Sequence, residues 1–278
     1  MTDYILRVEC ADEKGLIFRI TRVLFERGLN IVANGEFVDP KRARFFMRAE
    51  LEGECDSAAV EGELRLALPA EATIGLSAVR PKDVVVLATR EAHCLGDLML
   101  RHAAGEFGPR IVAVVSNRPD LGELVRRFDI PFECVPHGGI ERAEHEARVL
   151  QAIRAYPCDY VVLAKYMRIL SAGFVGHFSR RMVNIHHSFL PAFIGANPYG
   201  QAFQRGVKII GATAHFVTDD LDEGPIIAQS VIPVDHTHSA ADMAQAGRDV
   251  EKTVLARALK LVFEERVFVS GNRTVLFD

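Results

Sequence analysis

The sequence predicts an α/β protein in two parts: a ferredoxin-like α+β sandwich over residues 1–80, followed by a doubly wound, mostly parallel sheet over residues 81–278. Three observations lead there. The chain has 278 residues, more than one ordinary domain needs at roughly 100 to 200 residues per domain. The early patterns run in the order β-α-β-β-α-β, whereas the later ones alternate apolar strands with helical segments. Between them, Arg80-Pro81-Lys82-Asp83 sets proline beside charge just before a new apolar strand, which marks a linker.

In the first part, Tyr4 to Cys10 alternates like a strand, and Leu16 to Arg27 places Leu16, Ile20, Val23, Leu24 and Arg27 at helical spacing, with Gly28 as the stop. Asn30 to Val38 and Arg44 to Leu51 form a hairpin pair around Asp39-Pro40, Ser57 to Leu68 reads as a second helix, and Thr73 to Val79 as the closing strand. This order builds a four-stranded antiparallel sheet with both helices on one face. In the second part the strands are Val84 to Ala88, Ile111 to Val115, Phe132 to Val135, Tyr160 to Ala164, Met182 to Ile185 and Ala212 to Val217. Helical segments such as Leu95 to Ala103 and Leu121 to Phe128 separate them, and residues 240–264 carry a long helical pattern that suits a packing helix after the site.

Composition excludes several classes of function. With 49% hydrophobic and 25% charged residues and a net charge of -4, there is no electrostatic reason to bind nucleic acid. Cys10, Cys55, Cys94, Cys134 and Cys158 lack a CxxC pair, so neither a zinc ribbon nor a disulfide framework is expected, and reduced thiols in a cytoplasmic protein are. No secretory signal is visible, and the apolar runs fall far below the roughly 20 residues that span a bilayer, so no membrane partner is expected.

The chemistry concentrates in Asn184-Ile185-His186-His187-Ser188-Phe189-Leu190-Pro191 and in Thr218-Asp219-Asp220-Leu221-Asp222-Glu223-Gly224-Pro225, each led in by an apolar run. Both are expected where strands deliver side chains into a cleft, as in open α/β sheets. Asn184 and His186 are two apart at a strand end, so they share a face, and Asp222 must arrive from another loop. An amide that donates to a growing oxyanion, an imidazole that moves a proton and a carboxylate that holds it charged suit acyl or formyl transfer.

Residues 184–229, NIHHSFLPAFIGANPYGQAFQRGVKIIGATAHFVTDDLDEGPIIAQ, resemble the core of the folate-dependent formyltransferases, and Leu163-Ala164-Lys165-Tyr166-Met167-Arg168-Ile169-Leu170 resembles the folate-binding strand and loop of that superfamily. The resemblance implies that Asn184, His186 and Asp222 are catalytic and that Met167, Arg168, Leu170, Val217 and Asp219 contact a folate. Cys10-Ala11-Asp12-Glu13-Lys14-Gly15-Leu16, with Gly28-Leu29-Asn30-Ile31, resembles the ACT domain, a small-molecule sensing module. There Asp12 and Gly15 are weak candidates for an amino-acid effector site, and a plain capping and turning role is an equal reading. Taken with EAHCLGDLM, RFDIPFE, AGRDVEK and VFVSGNRT, the whole chain is similar to the formyltetrahydrofolate deformylases.

That likeness implies hydrolysis of 10-formyltetrahydrofolate to formate and tetrahydrofolate, with the folate as substrate, no cofactor, and a homo-oligomer paired through the ACT-like part. The alternatives are transfer of the formyl group to an amine and a non-catalytic folate or amino-acid sensor. Glycinamide ribonucleotide formyltransferase, by the same resemblance, follows its first strand with a glycine-rich loop that cradles phosphate. Thr89-Arg90-Glu91-Ala92-His93-Cys94-Leu95-Gly96-Asp97 makes a poor anion cradle, which favours water as acceptor.

Several bland readings stand beside these. Metal binding by His186, His187, His215, Asp219, Asp220 and Asp222 is not expected, because no helix-borne ligand spacing supports it. His187 and His215 read as hydrogen-bonding support, Asp219 and Asp220 as a solvated turn, and Ser188 as a loop brace without a GxSxG elbow. Arg168 reads either as a helix-start surface cation or as a contact to the pterin rim, with the contact favoured. Cys94 beside His93 is a weak nucleophile candidate, since adjacent residues seldom present both side chains to one proton. Asn197-Pro198-Tyr199, after Gly195-Ala196, is expected to wall the site.

Overall fold

The computed structural model describes residues 3–192 and 197–278, and it divides into two compact units, one of residues up to Arg80 with Phe277 and Asp278, the other from Pro81 to Leu276. Each unit has its own sheet.

The first unit is built from β1 (Tyr4–Ala11), α1 (Leu16–Glu26), β2 (Asn30–Asp39), β3 (Arg44–Glu52), α2 (Ser57–Ala67) and β4 (Thr73–Ala78). The strands form an antiparallel sheet in the order β2-β3-β1-β4. Alternate residues of β1, Leu6, Val8 and Cys10, pack with Leu16, Ile20, Val23 and Leu24 of α1 and with Val60 and Leu64 of α2. Gly28 ends the first helix with φ +70, the left-handed conformation that a residue without a Cβ adopts at low cost.

The second unit comprises β5 (Asp83–Ala88), α3 (His93–Ala103), β6 (Arg110–Ser116), α4 (Gly122–Arg126), β7 (Phe132–Cys134), α5 (Arg142–Arg154), β8 (Tyr160–Leu163), α6 (Ala172–Gly176), β9 (Met182–His186), α7 (Pro198–Arg205), β10 (Ile209–Phe216), β11 (Ile226–Pro233), α8 (Ala240–Phe263), β12 (Val267–Ser270) and β13 (Arg273–Leu276). Seven strands form one sheet in the order β11-β10-β9-β8-β5-β6-β7, parallel from β9 through β7. Period-two alternation sends Val84, Val86 and Ala88 of β5 to one core, which holds α3 and α8 residues, and Val85 and Leu87 to the other, which holds α5 and α6 residues. Both faces are therefore buried, as a parallel sheet requires. The long α8 opens with a capping box between Ser239 and Asp242 and lays Val250, Val254, Leu255, Ala258, Leu259 and Val262 on the first core.

Three features go beyond the sequence expectation. β10 runs antiparallel to β9, and an unforeseen strand, β11, pairs antiparallel with β10. A segment containing a helix separates β9 from β10, which in sequence looks like the crossover of a parallel pair. β11 mixes buried with exposed residues and lacks the continuous apolar run of an inner strand. A small hairpin of β12 and β13 was likewise unforeseen.

Candidate active site

The antiparallel step between β9 and β10 assembles the site. Strand registry places His215 of β10 directly opposite Asn184 of β9, and Thr213 opposite His186, so these four side chains share one face. Beyond Phe216 the chain turns through residues 217–225 and brings Asp222 back to that face in a left-handed conformation, φ +58. The turn depends on Gly224, where a Cβ would lie 1.8 Å from the Phe216 carbonyl oxygen. Because β10 runs opposite to β9, the Asp222 loop does not emerge at the carboxyl edge of the parallel strands. It returns over the sheet face instead.

The hydrogen bonds fix the roles of the two rings. His215 Nδ1 lies 2.9 Å from the Phe216 carbonyl oxygen, which can only accept, so that nitrogen carries the proton. Its Nε2 then accepts from Asn184 Nδ2 at 3.2 Å, which turns the amide nitrogen of Asn184 toward His215 and leaves its second N–H to donate elsewhere. His186 Nδ1 lies 3.2 Å from Asp222 Oδ2 and donates to it. His186 Nε2 is buried and has no hydrogen-bond partner among the described residues. Burial pushes the Asp222 carboxyl up, but its hydrogen bond from His186 outweighs that and holds it well below the usual carboxylate range. His215, expected only as support, thus touches both Asn184 and Asp222.

A cavity of about 280 Å³ opens on this cluster. Asn184, His186 and Asp222 line it together with Met167, Arg168, Leu170, Val217 and Asp219. Tyr166, Met167 and Arg168 follow β8, and Arg168 is exposed on an irregular segment rather than at a helix start, since α6 begins only after its cap Ser171. Asp219 and Asp220 are exposed, and the Ser188 hydroxyl donates to the Ala192 carbonyl at 2.7 Å, across its own loop. Tyr199 lies in the first turn of α7, capped by Asn197, while Gly195 and Ala196 fall outside the described residues.

A second polar cluster, missed in the sequence, adjoins the first. Glu251 on α8 is completely buried; its Oε2 lies 2.7 Å from His93 Nε2 and 3.2 Å from Lys165 Nζ, and its Oε1 accepts from the Tyr199 hydroxyl at 2.7 Å. Burial pushes Glu251 up, but the His93 contact, the Lys165 charge and the Tyr199 hydroxyl together hold it at about 2. The same surroundings bring potential metal ligands of His93, Cys94 and Glu251 within 4.8 Å of one another. Lys165 already balances the charge of Glu251 there, so these residues fit an ammonium better than a metal ion. Cys94 is no nucleophile: burial, then the Glu251 charge, push its thiol far up, and His93 is committed to Glu251. His187 is pulled down to about 4 by burial and then by Lys165 and His186, so its ring is neutral near neutral pH. The one hint in sequence was a lysine directly after an apolar strand.

In the first unit Gly15 stands at the start of α1 with φ +85, and among the described residues no side chain caps that helix, so Asp12, exposed just before it, does not do so.

Two families match the chain in sequence. Residues 82–259 match the Formyl transferase family and residues 4–65 the ACT domain. The chain is 56% identical over 272 residues to the formyltetrahydrofolate deformylase of Escherichia coli O6:H1, covering 98% of this chain and 97% of that one. The crystal structure of a formyltetrahydrofolate deformylase from Pseudomonas syringae pv. tomato superposes with a TM-score of 0.95 at 38% identity, covering 100% of this chain and 95% of that one. A glycinamide ribonucleotide transformylase from Symbiobacterium toebii superposes with a TM-score of 0.69 at 31% identity, covering 71% of this chain and 95% of that one. With both families matched in this order and the likeness running end to end, the chain belongs to the formyltetrahydrofolate deformylases.

Proposed function

We propose that this chain hydrolyses 10-formyltetrahydrofolate to formate and tetrahydrofolate, with Asn184, His186 and Asp222 as the catalytic groups. The observation that carries the reading is the buried Nε2 of His186, unpartnered among the described residues, on a ring whose other nitrogen is anchored to Asp222 and which lines the cavity beside Asn184. Asp222 accepts from His186 and holds its proton poorly, so it orients and charges His186 rather than acting as the base. His186 Nε2 takes a proton from water as the oxygen adds to the formyl carbon. It then gives that proton to N10 as the carbon–nitrogen bond breaks. The second N–H of Asn184 donates to the oxyanion formed between those steps. No resident cofactor is needed, because the folate is itself the substrate.

Met167, Arg168, Leu170, Val217 and Asp219 hold the folate along the cavity wall, Arg168 meeting the polar rim of the pterin. The ACT-like unit takes an amino-acid effector, with Asp12 and Gly15 as weak candidates, and pairs copies of the chain into a homo-oligomer. The protein works in the cytoplasm; among the described residues no helix is long and apolar enough to cross a membrane.

The decisive experiment incubates purified protein with 10-formyltetrahydrofolate and no amine. Formate release supports hydrolysis, whereas folate turnover only on adding an amine would establish a transferase, and binding without turnover a sensor. His186→Ala is expected to abolish formate release while folate binding, followed by tryptic protection or calorimetry, persists.

A further inference from the structure

The hydrolytic steps above use Asn184, His186 and Asp222, yet Lys165 lines the same cavity and is held there with unusual care. It follows β8 with φ +62, a conformation that is costly for a residue with a side chain and that persists where the surroundings impose it. Its side chain is 3% exposed, and its Nζ sits 3.2 Å from the fully buried Glu251. Glu251 is in turn braced by His93 from α3 and Tyr199 from α7, both at 2.7 Å. Glu91 adds a longer contact to Lys165 at 3.9 Å. Charges are buried only with partners of this kind, so four separate elements cooperate to keep one positive charge on the wall of the formyl site.

A closely similar unit occurs in a glycinamide ribonucleotide transformylase, so the fold alone does not choose the acceptor. Beside the missing phosphate cradle, residues that line the cavity take part in that choice. An alkyl amine, with a pKa near that of lysine at about 10, arrives near neutral pH as an ammonium ion, whereas water arrives uncharged. Lys165 and Glu251 are paired, but only Lys165 lines the cavity, so the positive end of the pair faces the acceptor; in a poorly screened wall it repels the first and leaves the second alone.

We propose that Lys165, held by Glu251, His93 and Tyr199, is a specificity-determining residue that closes the site to amine acceptors and leaves water to take the formyl group. The inference rests on the hydrolytic reading above, and failure of that reading shows separately, as absence of formate from the unmodified protein without amine.

The test supplies 10-formyltetrahydrofolate with methylamine and quantifies formate and N-methylformamide. Transfer breaks the bond from the formyl carbon to N10, joins that carbon to the amine nitrogen, and moves the amine's proton to N10. The unmodified protein is expected to yield formate. Lys165→Met combined with Glu251→Gln removes both buried charges together, which avoids stranding either, and is expected to raise the N-methylformamide share on the order of tenfold or more. Lys165→Arg and Tyr199→Phe, which keep the charges, are expected to retain the original product ratio. An unchanged ratio in the folded double variant overturns the proposal. So does an equal rise in Lys165→Arg, which would make space rather than charge the cause. A further arm needs no variant: relative to its uncatalysed rate, hydroxylamine, uncharged near neutral pH, is expected to intercept the formyl group better than methylamine, and equal interception overturns the proposal.

Discussion

Asp222→Asn isolates the charge that the catalytic histidine relies on. In the structure Asp222 Oδ2 lies 3.2 Å from His186 Nδ1. At that separation, with an effective dielectric constant of about 20, a carboxylate stabilises an imidazolium by about 5 kcal/mol. That is an upper value, because an amide oxygen still accepts from Nδ1–H, and about 2 kcal/mol is a fair lower value for a charged hydrogen bond replaced by a neutral one. At 1.36 kcal/mol per tenfold, kcat is expected to fall between about thirtyfold and about five-thousandfold. The larger end applies if the asparagine presents its NH2 to Nδ1, since the ring then carries its proton on Nε2 and cannot accept one from water. Formate release under saturating 10-formyltetrahydrofolate measures kcat, and KM is expected to change little because the substituted group faces His186 and His215. A loss of less than about threefold would refute the assignment, since it corresponds to under 1 kcal/mol.

Gly224→Ala would place a methyl group 1.8 Å from the Phe216 carbonyl, so the Asp222 turn must shift; kcat is expected to drop at least about tenfold while the thermal midpoint changes by only a few degrees, read by formate release and calorimetry. Gly247→Ala on α8 would place its Cβ 2.1 Å from the Tyr199 hydroxyl oxygen and is expected to destabilise the fold by about 1–3 kcal/mol in a denaturant titration. The His187 ring is expected to titrate at about 4 by NMR in the unmodified protein and to rise when Lys165→Met removes the neighbouring charge. Because its folded value lies below the unfolded one of 6.5, its contribution to stability is present above pH 6.5 and is lost as the pH falls through about 4, which a denaturant series across that window measures.

The strands of the second unit were readable because β5, β6 and β8 are short valine-rich runs, and α8 because its apolar residues keep one face over many turns. The direction of β10 was not, because period-two alternation is the same whichever way a strand runs, and the helix before it suggested a parallel crossover. β11 was hidden by its exposed positions at the sheet edge. Asn184 and His186 are readable as a same-face pair two residues apart, whereas His215 reads only as support because nothing local reveals which residue lies across a strand pair.

By itself the sequence determined the two-part organisation and the chemical character of the amide, imidazole and carboxylate, because periodicity and residue type are local properties. Tertiary structure decided what those groups face. His93 and Glu251, 158 positions apart, meet at 2.7 Å only because α3 and α8 pack on the same core, and a contact of that kind is set by burial and registry across the whole sheet rather than by any stretch of chain.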